Sequence, residues 1–282
     1  MVNEQPVYFD CAGERLLGIM HAVEGQPEVG VLLVVGGPQY RVGSHRQFVL
    51  LARDLAAAGI PVFRFDYRGM GDSGGAMRDF EGISDDIRCA LDVLFEQQPG
   101  MRGAVLWGLC DAATANAFYA GEDPRVVGQI ALNPWVRTTE GVARVFMRHY
   151  YPRRALSGAF WRRLTSLRGG LGAALRDFAE KLRYLRNSGN AGGAGDTHSL
   201  PWRFREAQLG FRGQTLVILS GQDLTAKEYQ SQVAESLEWQ RWLQSSMVTV
   251  RKLEDADHTF SRAAWRTQVA QWSRDWIANL GD

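Results

Sequence analysis

The chain has 282 residues, 45% of them hydrophobic and 22% charged. This is an ordinary globular balance, and it excludes a disordered or disulfide-stapled chain. Lys and Arg number 32 against 31 Asp and Glu, a net charge of +1, so the molecule as a whole is no sink for nucleic acid. Three scattered cysteines, Cys11, Cys89 and Cys110, form no C-x-x-C pair, which points to a reducing compartment. No basic, apolar leader opens the sequence, and no run approaches the ~20 apolar residues of a membrane helix. A cytoplasmic chain without membrane insertion is expected.

In chain order, residues 7–11 and 16–21 alternate as an opening antiparallel pair. Residues 29–35 are a continuous apolar run, the pattern of a strand buried on both faces. A helix over 46–58 stops at Gly59, and a strand over 61–65 leads into a glycine-rich loop over 66–75. A helix over 83–98, a strand over 103–107, a small-residue helix ending at Ala120 and a strand over 126–132 continue the rhythm. It breaks from residue 136 to about 208, where the pattern is helical, basic and aromatic, with a loop over 187–196 rich in Asn, Ser, Gly and Ala. A strand over 215–220, a helix over 226–243, a strand over 247–253 and a helix over 263–279 complete the chain. The expected architecture is α/β. A mostly parallel sheet is flanked by helices, with its core in 1–135 and 209–282 and a helical basic cap inserted over 136–208.

The chemistry is read from Gly108-Leu109-Cys110-Asp111-Ala112. A strand ending in a tight turn, with small residues two either side of a nucleophile, is the nucleophile elbow usually written G-x-S-x-G. Here Cys stands for Ser and Ala112 for the second Gly. The turn puts Cys110 at a helix N-terminus, where the dipole favours a thiolate; the plainer alternative is a cysteine packed as a small hydrophobe. Such a nucleophile needs an acid and then a His further along the chain. Asp223 follows one predicted strand, and His258 follows the last. Asp255 and Asp257 are rival orienters; His21, His45, His149 and His198 are rival bases that do not follow the final strand. The oxyanion donors are expected to be the N–H of Asp111 and one from the loop Gly36-Gly37-Pro38-Gln39-Tyr40. Pro38 has no N–H, so the second donor moves to Gln39, with Tyr40 next should Gln39 be engaged within its loop.

The stretches GGPQYRVGSHRQF from Gly36, FDYRGMGDS from Phe65, LWGLCDAA from Leu106, SGQD from Ser220 and ADHTFS from Ala256 resemble an α/β-hydrolase. In detail they resemble the type 1 hydrolases associated with the exosortase A system, over essentially the whole chain. The resemblance implies a bacterial hydrolase working beside exopolysaccharide production and protein sorting, with its triad on Cys110, Asp223 and His258. Cys for Ser and Pro38 at the oxyanion turn depart from the usual hydrolase pattern and bear on ordinary esterase activity.

Gly69-Met70-Gly71-Asp72-Ser73-Gly74 matches G-x-G-x-x-G, but Asp66 at the strand end would repel a pyrophosphate. A structural turn pinned by Asp66 and Arg68 is the better reading. No metal motif is present, and no cofactor is expected. Between residues 136 and 186 twelve Arg or Lys face three acids, interleaved with Tyr150, Trp161 and other aromatics. The region is either a solvated face or a lid for an anionic, partly apolar acyl substrate. Substrate contacts are expected from Tyr40, Arg41, Arg46, Tyr150 and Trp161. The expected activity is acyl-enzyme hydrolysis of a thioester or activated ester; acyl transfer to another acceptor, or a weakly catalytic binding scaffold, are the alternatives.

Overall fold

The alternation of apolar runs and amphipathic stretches folds into one eight-stranded sheet with helices on both faces. The computed structural model describes residues 3–37, 39–137 and 199–280. The strands are β1 (Asn3–Cys11), β2 (Glu14–Ala22), β3 (Val29–Val34), β4 (Val62–Asp66), β5 (Gly103–Leu109), β6 (Val126–Leu132), β7 (Gln214–Ser220) and β8 (Val248–Leu253). The helices among the described residues are α1 (Gln47–Ala57), α2 (Ser84–Gln97), α3 (Asp111–Ala120), α4 (Leu200–Gly210), α5 (Leu224–Ala234), α6 (Leu237–Leu243) and α7 (Ala263–Ala278). The strand order is β1-β2-β4-β3-β5-β6-β7-β8. β2 runs antiparallel to β1 and β4, and the other neighbours pair in parallel.

The central strands read as apolar runs because both of their faces are covered. Every residue of β5 is buried. On one side Val31, Leu33, Trp107, Leu132 and Ile218 pack with α1 and α7; on the other Leu32, Phe63 and Leu106 pack with α2 and α3. Each helix presents a stripe at helical spacing: Phe48, Leu51, Ala52 and Leu55 on α1, and Ile87, Ala90, Leu91 and Leu94 on α2.

Two sequence expectations are revised. The helix expected over 226–243 is two, α5 and α6, because the Ser236 side chain accepts the Trp239 N–H at 3.3 Å and starts a new helix. The cap reading of 136–208 also takes in α4. Its Phe204 is 1% exposed and packs at 6.1 Å from Tyr229 and 5.7 Å from Trp239, ring centre to ring centre, so α4 belongs to the core wall. The remainder of the expected cap, with Tyr150, Trp161, His149 and His198, lies outside the described residues.

The glycine-rich loop after β4 is held by charge. Asp86 is fully buried; its carboxylate accepts from Arg68 Nε at 2.9 Å and Nη2 at 2.7 Å, and from the Arg68 N–H at 2.9 Å. Buried Asp66 accepts from the Arg41 N–H at 2.6 Å, from the Arg41 guanidinium and from the Asp72 N–H at 3.1 Å. With its carboxylate so engaged, this turn is scaffolding. Removing one partner of a buried pair strands the other charge. D86A is therefore expected to lose about 3–5 kcal/mol in urea denaturation, while replacing both Arg68 and Asp86 by packed apolar residues costs far less.

Candidate active site

At the end of β5 the backbone must turn sharply into α3. Cys110 makes the turn with φ 63° and ψ −124° as the N-cap of α3, a conformation that a non-glycine residue adopts only when its surroundings enforce it. They do so on three sides. The Cys110 N–H donates to Leu132 O at 2.9 Å, and its carbonyl accepts from Ala113 N–H at 3.1 Å and Trp135 N–H at 3.2 Å. A side chain at Gly108 would bring its Cβ to 2.8 Å from the Ala113 nitrogen, so strand and helix approach closely only because that residue is glycine. At Gly36, across the turn, a Cβ would run into the Asp111 carboxylate and stand 2.7 Å from Leu109 O.

The loops after β7 and β8 bring an acid and a base to the turn. Asp223, 7% exposed, N-caps α5 by accepting the Ala226 N–H at 3.0 Å. The same oxygen, Oδ2, lies 3.0 Å from His258 Nδ1. The contact is an ion pair whose oxygen sits off the ring N–H direction, short of a straight hydrogen bond. Cys110 is the other side chain that acts on the His258 ring. Burial alone would lower the affinity of His258 for a proton. The side chains of Asp223 and Cys110 outweigh it and raise its pKa from 6.5 to about 10.

The rival residues are engaged elsewhere. Asp257 accepts the Ser261 N–H at 2.9 Å and also the Ser261 hydroxyl, and so closes the turn into α7. His21 is fully buried in β2, its Nε2 accepting from Arg64 Nε at 2.9 Å; burial, then the Arg64 charge, push its pKa down to about 4. His45 is exposed at the start of α1. Cys11 is buried, and that burial, with Cys89 beside it, pushes its thiol up to about 12.

One expectation for the loop after β3 needs correcting. The Gln39 N–H donates to Gly37 O at 2.8 Å, so the bend around Pro38 turns this donor back into its own loop, and the Gln39 side chain accepts from Ser44. The Tyr40 N–H has no acceptor among the described residues; that of Asp111 has none along the backbone and faces its own carboxylate. Arg41, expected to meet substrate, spends its guanidinium on Asp66 and, at 2.7 Å, on Asp72. Tyr40 and Arg46 stand exposed on the same loop. One contact was not anticipated: the Asp111 carboxylate accepts the Gly37 N–H at 2.9 Å and the Ala112 N–H at 3.0 Å, tying this loop to the elbow. Burial raises the pKa of Asp111, against the lowering effect of three backbone N–H groups, those of Gly37, Ala112 and Asp111 itself. Among the described residues no cluster of three or more His, Cys, Asp or Glu could hold a metal ion, and no helix is long and apolar enough to cross a membrane.

The raised His258 pKa fixes a sign. Stabilisation from the charged imidazole is complete below pH 6.5 and is lost as pH rises through about 10. In C110A and in D223N the imidazole titration followed by NMR should move down from about 10 toward 6.5, and the loss of thermal stability between those pH values should flatten.

No curated protein matches the sequence. Among solved structures the Pyrococcus furiosus esterase Pf2001 superposes with a TM-score of 0.67 at 12% identity, covering 100% of this chain and 92% of that one. Est1E from Butyrivibrio proteoclasticus, solved with ferulic acid bound, gives 0.62 at 14% identity over 97% and 98%. DcsB, in complex with its substrate analogue, gives 0.63 at 16% over 99% and 100%. At these identities the likeness establishes the α/β-hydrolase fold. The model of the serine aminopeptidase S33 family matches residues 28–187, more than half of the sequence, and the chain belongs to that family of α/β-hydrolases.

Proposed function

We propose that the protein is a cysteine-nucleophile hydrolase acting on a thioester or activated ester through an acyl-enzyme. The observation that supports this reading is the 3.0 Å contact of Asp223 with His258, whose proton affinity Cys110 also raises, together with Cys110 at a strained helix N-terminus. The Cys110 thiolate attacks the carbonyl carbon, and charge develops on the oxygen. The N–H groups of Asp111 and Tyr40, which have no backbone acceptor among the described residues, are the donors assigned to that oxygen. As the tetrahedral intermediate collapses, the bond to the leaving group breaks and His258 gives that group its proton. Water then attacks the acyl-cysteine, with His258 taking its proton, and the carboxylic acid leaves as the thiolate–imidazolium pair is restored. Asp223 holds the imidazole throughout.

A thiolate exchanges readily with a thiol leaving group, which favours a thioester over an unactivated ester. The family description names serine chemistry; cysteine at the elbow is this chain's departure. The excess of nine basic charges over residues 136–186, in a chain of net +1, supports an anionic substrate. The motifs around Gly36 and Cys110 support a role beside exosortase and exopolysaccharide systems, in a reducing compartment where the thiol stays free.

A panel of thioesters and esters tests this. C110A should lose turnover by on the order of 10³-fold or more while staying folded, and retained turnover overturns the reading. Ester products formed when sugar acceptors compete with water would instead mark an acyltransferase. Capture of anionic thioesters should slow as salt rises past the point where the Debye length falls below about 10 Å, with neutral analogues insensitive. Equal insensitivity would withdraw the anionic substrate.

A further inference from the structure

The segment that follows β6 touches all three loops of the site. Its Leu132 carbonyl accepts the Cys110 N–H at 2.9 Å, and its Trp135 N–H returns a bond to the Cys110 carbonyl at 3.2 Å. Between them lies Asn133, fully buried, with φ 43°. Asn tolerates this left-handed conformation better than most residues. Asn133 Oδ1 accepts the Ser220 N–H at 2.8 Å, while Nδ2 donates to Ser220 Oγ at 2.9 Å and to His258 O at 3.0 Å. Ser220 Oγ in turn donates to Asp257 O at 2.8 Å. A backbone N–H can only donate and a carbonyl can only accept, so these partners fix which end of the amide is which.

We propose that Asn133 is a positioning residue, whose side-chain amide fastens the loop carrying His258 and the strand end leading to Asp223 to the backbone that holds Cys110. This rests on the reading of Cys110, His258 and Asp223 as the reacting groups. Asn133 touches no reacting atom; it acts through the His258 carbonyl, which sets where the imidazole hangs. No other side chain of similar size serves both partners. Aspartate would set a carboxylate against the His258 carbonyl, and leucine would leave a buried N–H and C=O unpaired. A misplacement of about 1 Å at a reacting group is worth up to about 10²-fold in rate.

The test uses the full chain as wild type, N133D, N133G and S220A, each checked for folding by circular dichroism and thermal melting. Alkylation by iodoacetamide at pH 7 is followed separately at Cys110 and Cys89 by peptide mass spectrometry, and the His258 imidazole is titrated by NMR. In folded N133D and N133G the Cys110 rate should fall by about 10–10²-fold, with Cys89 unchanged and the His258 midpoint moving from about 10 toward 6.5. S220A keeps the bond from Asn133 to His258 and should show a smaller fall in the same direction; it carries the test should N133D not fold. Wild-type Cys110 rate and His258 midpoint in the folded variants overturn the positioning role alone. Wild-type Cys110 reacting no faster than Cys89 instead overturns the nucleophile reading beneath it.

Discussion

The close approach of β5 to α3 is the constraint on which the rest of the site depends. A non-glycine residue at φ 63° is unfavourable by itself, so the neighbours of Cys110 must over-determine it. Two carbonyl-side bonds and one N–H bond fix its peptide groups. Gly108 and Gly36 leave room for the turn, where any Cβ would meet backbone. The sulfur is thereby held at the carboxyl end of the sheet, the place where the loops after β7 and β8 also end. Placement by backbone geometry, more than by side-chain packing, is what sets a partly buried cysteine at the same end of the sheet as His258, 148 positions further along the sequence.

Charge at the site is a contest between burial and neighbours, and the neighbours win at His258. Its desolvation opposes the charged ring, yet the Asp223 carboxylate and the Cys110 sulfur together reverse the outcome. At Asp111 the balance goes the other way. Burial outweighs three backbone N–H donors, so the carboxyl group next to Cys110 is held less acidic than usual. The same carboxyl joins Gly37 to the helix start, so one side chain ties the loop after β3 to the elbow.

Much of this was legible from residue order. β3 announces itself as an uninterrupted apolar run because both of its faces are covered. Gln39 was misassigned because the direction of an N–H near Pro38 depends on backbone angles that residue identity does not set. The pairing of Arg41 with Asp66 is not legible either, because the two lie 25 positions apart and no periodicity links them. The break between α5 and α6 escaped because Ser236 begins a helix without the glycine or proline that usually marks a boundary. Asn133, in Asn-Pro, reads as a turn residue; only its complete burial reveals that its amide has three partners to satisfy.

A single oxygen atom, Asp223 Oδ2, both caps the first turn of α5 and pairs with His258. The two tasks cannot be tuned separately. A tighter grip on the imidazole draws the carboxylate away from the Ala226 N–H, and a sounder helix start draws it back. Fraying of α5 by one turn, which uncovers buried Ala226, therefore also disturbs the pair of Asp223 with His258. The helix start and the contact with His258 thus form one unit, loosened together and restored together.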